Sequence, residues 1–369
     1  MSIRYQCLKT DGAARLGILF TPHGAVETPA FMPVGTVGTV KGIYPGQVED
    51  SGSRILLANT YHLALRPGDE RVARLGGLHA FMNWPHAILT DSGGYQVFSL
   101  AQRRTLTDAG VLFRSHLDGS QIDLTPERAV QIQENLGSDI AMVLDICPPA
   151  GCSEEEMAEA IRRTLLWAKR CQNSATRADQ ALFAIVQGGL DLEARQACAA
   201  ALVAMDFPGY ALGGFSVGEA PEAMAQALPF CAACLPASKP RYLMGVGRPQ
   251  DLIAGMAAGI DMFDCVLPTR NGRNASAYTR HGEVRLRNAC HRDDPNPLEA
   301  GCLCPCCTGY SRAYLHHLFA AEEMLGPMLL SLHNLWLYQR LMSEGREAIG
   351  RGEFGQWSAE WLVCLDGTP

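Results

Sequence analysis

The sequence predicts an α/β protein built as a parallel (β/α)8 TIM barrel, and three observations carry that prediction. Eight short apolar, β-favouring runs recur: Phe31 to Thr36, Arg54 to Asn59, Ala87 to Asp91, Asp139 to Asp145, Leu182 to Gln187, Tyr210 to Gly214, Arg241 to Gly245 and Asp261 to Cys265. Amphipathic stretches with helix-start signals separate the later runs: Ser153 to Asn173, Asp191 to Met205, Glu219 to Leu235 and Pro249 to Ala258. Alternation of this kind is the pattern of a closed parallel barrel. Nearly every run also stops on a polar residue or a glycine, which in such a barrel gathers Asp91, Asp145, Gln187, Gly214, Gly245 and Asp264 on one rim.

Two departures from a plain barrel stand out. Ser92 to Leu136 is too long for a simple connection, and within it LFRSHLDGSQIDLTP predicts a hairpin turning at Asp118-Gly119-Ser120 before a helix opening at Thr125-Pro126. After Asp264 come a β-like segment through Arg287, a cysteine cluster and helices around Ser311 to Leu325 and Pro327 to Ile349. The expected division is therefore a barrel over residues 1–270 with an insertion at 92–136, a zinc-binding subdomain over 271–350, and a C-terminal helix over 351–369 closing on the barrel.

Composition narrows the function. The chain has 369 residues, 47% hydrophobic and 19% charged, without polar tracts, so it can bury a sizeable core throughout. No stretch approaches the roughly 18 apolar residues of a membrane span and the N-terminus lacks a signal-peptide pattern, so a soluble cytoplasmic protein is expected. Most of the 14 cysteines stand singly in apolar segments, which fits reduced core thiols. The net charge of −7 argues against a nonspecific nucleic-acid coat. Charge is uneven, however: Arg270, Arg273, Arg280, Arg285, Arg287 and Arg292 face one acid, Glu283, in a local basic strip suited to a polyanion.

The chemistry centres on GIDMFDCVLPTRNGRNAS, from Gly259 to Ser276. Asp264 interrupts a buried apolar run, where a carboxylate must be paired, protonated or used, and the following Thr-Arg-Asn-Gly-Arg loop brings two forked cations suited to phosphate. An Asp capping the next element is the structural alternative. In DSGGYQ, Asp91 is followed by Ser92, Gly93 and Gly94, which allow close backbone approach to a ligand, and by Tyr95, which offers a stacking face. Gln187-Gly188-Gly189 and Gly213-Gly214-Phe215 repeat the device. Asp145 as acceptor, with Gln187 and the Gly214 amide as donors, suits the edge of guanine. Two further carboxylates, Asp264 and Asp91, suit displacement of a base from ribose through an oxocarbenium-like state. Finally, Cys302-x-Cys304-x-x-Cys307 with His333 in a later helical pattern supplies a closed, structural tetrahedral zinc site, and Cys306 lies within the same knuckle.

Together DSGGYQVFSL, the Asp145/Cys147 pair, VQGG, GGFSVGE, RYLMGVG, GIDMFDCVLPTRNGR and the cysteine cluster followed by SRAYLHHL and His333 resemble the bacterial-type tRNA-guanine transglycosylases, over nearly the whole chain. The resemblance implies a zinc-bearing TIM barrel, usually homodimeric, that exchanges guanine at the wobble position of GUN anticodons for 7-aminomethyl-7-deazaguanine in queuosine biosynthesis. It implies Asp264 as nucleophile, Asp91 as general acid/base, and base recognition by Asp145, Gln187, Gly214 and the Phe215 carbonyl, with Tyr95 and Met244 sandwiching the base. It further implies anticodon-loop contacts from Gly245, Val246, Gly247, Arg248, Pro249, Gln250 and Asp251 and from Thr269, Arg270, Asn271, Gly272 and Arg273. The chain departs from the usual pattern at Ile146, Phe215 and Ala275, where Glu, Leu and Gly are common. A non-catalytic tRNA-binding subunit and a hydrolytic N-glycosidase are the alternatives on the same fold.

Overall fold

The computed structural model describes residues 3–96 and 104–367, so segment 97–103 of the expected insertion, including the VFSL of the DSGGYQVFSL motif, and residues 368–369 of the expected C-terminal helix lie outside the described residues. The chain opens with an antiparallel three-stranded sheet, β1 (Arg4–Asp11), β2 (Ala14–Thr21) and β3 (Gly24–Thr28). Three barrel strands follow, β4 (Ala30–Gly35), β5 (Ile55–Ala58) and β6 (Ala87–Thr90). The insertion supplies β7 (Arg104–Leu106), β8 (Val111–Arg114) and β9 (Gln121–Leu124), a separate antiparallel sheet. The barrel resumes with β10 (Ile140–Met142), β11 (Ala181–Val186), β12 (Gly209–Leu212), β13 (Arg241–Leu243) and β14 (Met262–Cys265). A hairpin, β15 (Ser276–Thr279) and β16 (Gly282–Arg285), precedes the helical C-terminal part.

The eight barrel strands pair in parallel in the order β10-β11-β12-β13-β14-β4-β5-β6, and β6 returns to β10 to close the ring. All eight correspond to the runs read from sequence. Burial on both faces explains why those runs are continuously apolar: every residue in seven of the strands is buried. In β14 the pattern breaks at Asp264 alone.

The connecting helices start where their caps dictate. Ser153 and Glu156 form a reciprocal capping box opening Glu154–Ser174. Asp191 accepts from Glu193 and Ala194 to open Leu192–Ala204. Thr125 caps Pro126–Leu136, and Gly137 ends it at φ +72°. The expected hairpin forms, with Arg114 opposite Gln121 across its turn.

Two local expectations are corrected. Thr269 to Arg273, read as a loop, lies within the helix Leu267–Arg273. Pro268 in its first turn favours a helix start, and packing holds the helix: a Cβ on Gly272 would meet the Ser331 backbone at 2.6 Å, while Asn334 Nδ2 donates to the Pro268 carbonyl at 2.9 Å. Residues 4–28, to which the sequence reading gave no strands, form the N-terminal sheet. This sheet closes the lower end of the barrel, where Tyr5 Oη donates to Asp261 Oδ1 at 2.6 Å and Arg15 Nε lies 3.3 Å from the same oxygen. Ala275, where the resembling pattern has glycine, sits at φ +62°, a left-handed conformation that costs a residue with a Cβ roughly 1 kcal/mol.

The buried side chains form two cores. The larger fills and surrounds the barrel and takes in the later turns of the 27-residue helix Leu325–Arg351. The smaller gathers the β15–β16 hairpin, the four cysteines from Cys302 to Cys307 and the helix Arg312–Ala320.

Candidate active site

The C-terminal ends of the barrel strands surround a cavity of about 620 Å³ whose lining includes Asn59, Asp91, Asp145, Gln187, Gly214, Tyr242, Met244 and Asp264. The carboxylates predicted to meet there do so. Their partners are neutral donors rather than cations: among the described residues, Asp91, Asp145 and Asp264 form no ion pair. Asp264 Oδ1 accepts from Tyr242 Oη at 2.6 Å and from the Gly245 N–H at 2.8 Å. No hydrogen bond to Oδ2 forms among the described residues, so one oxygen is anchored and the other faces the cavity. Burial raises the Asp264 pKa above the ordinary carboxylate range, and the two donors offset only part of that shift. Asp264 does not cap the next helix, whose N-cap is Val266.

Asp91, just beyond β6, is held from the neighbouring strand end. Asn59 Nδ2 donates to its Oδ2, and the Thr60 N–H donates to Oδ1 at 2.9 Å. Asn59 can do this because its own Oδ1 caps the helix Thr60–Leu65. Burial pushes the Asp91 pKa up to about 7; the Thr60 hydrogen bond opposes the shift and the nearby Asp264 charge adds to it. That electrostatic coupling places the two carboxyl groups within reach of each other's field. Both are half-buried and open onto the cavity.

A polar wall stands beside the pair. Asp145 Oδ2 accepts from Gln187 Nε2 at 2.7 Å, Ser92 Oγ is 3.5 Å from Oδ1, and burial pushes the Asp145 pKa up to about 6. Gln187 Oε1 is buried without a protein partner. Gly94 and Gly213 are required by close approach: a Cβ on the first would lie 2.9 Å from the Asp145 carbonyl, and on the second 2.7 Å from Gln187 Nε2. Tyr95 is 53% exposed at the mouth and Met244 is half-buried. Phe215 is buried.

The two segments expected to meet RNA flank this cavity but divide in burial. Gly245, Gly247, Arg248, Asp251 and Arg270 line it, and Arg248 and Arg270 are exposed. Arg248 forks onto Asp251, with both contacts at 2.8 Å. Val246, Pro249, Thr269 and Gly272 are buried and act as packing, Gln250 and Arg273 are half-buried, and Asn271 donates to Tyr278 Oη at 2.9 Å.

The family model described as queuine tRNA-ribosyltransferase matches residues 10–364. The chain belongs to the queuine tRNA-ribosyltransferase family. It is 56% identical to a queuine tRNA-ribosyltransferase of Sorangium cellulosum, over 97% of this chain and 91% of that protein. Proteins of the same description from Cereibacter sphaeroides and Thermus thermophilus are 53% and 52% identical, over 96% and 97% of this chain and 95% and 93% of theirs.

In this family member Cys302, Cys304, Cys307 and His333 form a buried cluster whose donor atoms all lie within 4.8 Å of one another. His333 Nδ1 is 3.8, 3.4 and 3.3 Å from the three sulfurs, and Nε2 is 2.8 Å from the Tyr278 carbonyl. That carbonyl can only accept, which places the ring proton on Nε2 and turns the Nδ1 lone pair toward the thiols. Three thiols and an imidazole in a closed pocket suit a structural metal site. Cys306 is buried beside the cluster but is not one of the four.

Sequence reasoning missed Tyr242, Asn59 and Glu219 as working groups. Tyr242 is the middle residue of an apolar three-residue strand, where nothing in the pattern reveals that its hydroxyl reaches the next strand. Asn59 was legible as a rim residue, but its grip on Asp91 depends on the short helix that follows. Glu219 accepts from the Ser216 and Val217 N–H groups and so shapes the loop after Phe215.

Replacing Tyr242 by Phe removes a hydrogen bond to the ionised form of Asp264, which must raise the Asp264 pKa further. The acid limb of the exchange rate should therefore move to higher pH by roughly one to two units, the equivalent of about 1.5–3 kcal/mol for a bond to a charged acceptor. A pH–rate profile with an unmoved acid limb contradicts this role for Tyr242.

Proposed function

We propose that the chain exchanges guanine in the anticodon of tRNA for 7-aminomethyl-7-deazaguanine by double displacement, with Asp264 as nucleophile and Asp91 as proton carrier. Asp264 Oδ2 attacks C1′ of the ribose while protonated Asp91 delivers its proton to the departing guanine, leaving an ester between enzyme and RNA. The incoming base gives a proton to Asp91 and attacks the same carbon, releasing Asp264. Two inversions return the new base to the face the old one left. Proton transfer of this kind contributes typically ~10²- to 10⁴-fold.

The observation that carries this reading is the opening of the barrel wall at Asp264 onto a cavity shared with Asp91, whose pKa is about 7. Asp145 with the Gln187 amide, backed by Gly94 and Gly214, would offer a guanine-like base an acceptor and donors, and Tyr95 and Met244, which line the same cavity, would cover its faces. Arg248 and Arg270, exposed at the cavity mouth, would meet the anticodon-loop backbone together with the loop Gly245 to Asp251 and the helix ending at Arg273. A base outside the stack is the form in which a single-stranded loop presents its edge. A non-catalytic tRNA-binding subunit is disfavoured by two carboxylates held in working positions.

Zinc is the metal proposed for the cluster of three cysteines and His333, one ion per chain. Its part is to tie the cysteine knuckle at 302–307 to the helix Leu325–Arg351. No helix is long and apolar enough to cross a membrane, and the proposed setting is the cytoplasm. A homodimer is the proposed assembly, with exposed Tyr44, Leu303 and Met324, at 70%, 78% and 80%, as apolar surface to be covered. Sedimentation of the purified protein as a 39.9 kDa monomer would remove that assembly.

Incubation with a GUN-anticodon hairpin should yield a protein–RNA adduct that survives denaturant, and labelled guanine should enter the RNA. Asp264→Ala should abolish both. An adduct persisting in that variant overturns the nucleophile assignment, and loss of guanine without incorporation of label identifies hydrolysis instead. For the metal, Cys304→Ala should purify without zinc and melt roughly 5 °C or more below the parent, taking a loss above about 4 kcal/mol at roughly 1.3 °C per kcal/mol for a chain of this length. Full zinc content by atomic absorption would sink the ligand set.

A further inference from the structure

Arg195 is a guanidinium buried to 1% exposure with no ion-pair partner among the described residues. It stands in the first turn of the helix Leu192–Ala204, directly behind the polar wall of the cavity. Its Nε donates to the Gly189 carbonyl at 2.6 Å, its Nη2 to the Gly213 carbonyl at 2.9 Å, and its Nη1 reaches the Val186 carbonyl at 3.5 Å. The Phe215 ring covers it, with the guanidinium carbon 3.7 Å from the ring centroid. Glu219 acts on it only through space, since both Glu219 oxygens are taken by the Ser216 and Val217 N–H groups. A buried charge without a counter-charge is expensive, and an apolar side chain of the same volume would fill such a site at lower cost. The arrangement therefore needs a reason beyond packing.

Peptide geometry supplies one. The Gly213 carbonyl and the Gly214 N–H belong to one peptide group, and that group is trans, because cis bonds occur in the described residues only at Thr28-Pro29 and Arg66-Pro67. With the carbonyl turned back onto Arg195, the N–H points the opposite way, toward the cavity that Gly214 lines, where the Cys147 sulfur is its neighbour. A cation bonded to the carbonyl end of an amide draws electron density from the nitrogen end and makes its N–H a stronger donor. The same guanidinium ties the turn after β11 to the turn after β12. Between those turns lies the Gln187 side chain, which a Cβ on either Gly213 or Gly214 would strike.

We infer that Arg195 is a positioning residue for base selection: through the Gly213–Gly214 peptide it strengthens the N–H presented to a purine carbonyl, and by joining the two glycine turns it fixes Gln187 beside that N–H. This rests on the reading that Gln187 and Gly214 face the carbonyl edge of the base. The effect grows as the glycosidic bond breaks, because negative charge on the departing purine spreads to that carbonyl. Arg195 touches neither base nor ribose, and its action is carried by the peptide.

The test compares Arg195→Lys and Arg195→Ala with the parent, using guanine and 2,6-diaminopurine, which carries an amino group in place of the carbonyl. In exchange assays the KM for guanine should rise roughly 10-fold, the scale of one charge-assisted hydrogen bond, while the KM for tRNA stays within about twofold. The inhibition constant of 2,6-diaminopurine should change little, so that the preference for guanine collapses. Millimolar guanidinium should restore guanine affinity to Arg195→Ala. Equal weakening of both purines, or a parallel rise in the KM for tRNA, would mean a structural prop and overturn the inference. If Arg195→Ala does not fold, Arg195→Lys decides the matter through the ratio of the two purines. Gln187→Ala separates the two layers of argument: an unchanged KM for guanine removes the underlying reading, whereas a raised one alongside an intact preference in Arg195→Lys removes this inference alone.

Discussion

A carboxylate held at the cavity end of a barrel strand by neutral donors is the constraint on which the site depends. The point is clearest within β14 and its approach, where two aspartates stand three positions apart. Asp261, at the lower end, receives Tyr5 Oη, the Arg241 N–H and the Arg15 guanidinium. Asp264, at the upper end, receives among the described residues a phenol and a backbone amide. The same contrast recurs beside β10. Asp139 below is satisfied by His23, His79 and the Ile88 N–H, whereas Asp145 above has Gln187 and Ser92. The two imidazoles beside Asp139 stack with planes 13° apart and centroids separated by 3.5 Å, so a metal ion could not lie in both ring planes; that trio is a structural tie. Acids at the bottom of the barrel are engaged by a guanidinium or imidazoles where they hold the fold, and those at the top have neutral partners.

One helix transmits order from the metal cluster to the rim. On Leu325–Arg351, His333 enters the cluster, Ser331 abuts Gly272, and Asn334 bonds the Pro268 and Ser276 carbonyls and the Tyr278 N–H. One turn further, Tyr338 Oη donates to the Gly247 carbonyl, and Gln339 reaches the Phe31 carbonyl at 3.0 Å. Ser331, Asn334 and Tyr338 share one face at helical spacing, while His333 and Gln339 project to either side of it. The cluster is therefore coupled mechanically to both segments at the cavity mouth although it contributes no atom to the chemistry.

What was legible in the sequence follows from where each signal resides. Barrel strands buried on two faces must be apolar throughout, so all eight runs could be read, together with the rim residues that end them. Ser153, Asp191 and Thr125 announced their helices because capping is local. The Leu267–Arg273 helix was not legible, since its Thr-Arg-Asn-Gly-Arg stretch has weak helical propensity and is held by contact with a helix some 60 residues later. Residues 4–28 were missed for the related reason that β1 is largely exposed and lacks a strong apolar pattern. Of the site, the carboxylates, glycines and metal donors were visible as residue types at strand ends or in a tight knuckle. Tyr242 and Arg195 were not, because their roles lie in which neighbouring strand or turn their tips reach.

The protonation balance of the carboxyl pair explains why burial, rather than an arginine, is used to tune it. In the proposed exchange, the first half would use Asp91 as an acid and the second would use it as a base. A carboxyl group near its ordinary value of 3.8 would be almost wholly ionised at neutral pH and useless as a donor, whereas one at about 7 is divided between both forms. A cation beside Asp91 would favour ionisation and return it to the acid range. It would also hold Asp264 ionised at the expense of nucleophilicity, since a paired carboxylate is a poorer attacker than one anchored through a single oxygen. Positive charge is accordingly kept at the mouth, on Arg248 and Arg270, where it can meet phosphate without quenching the pair below.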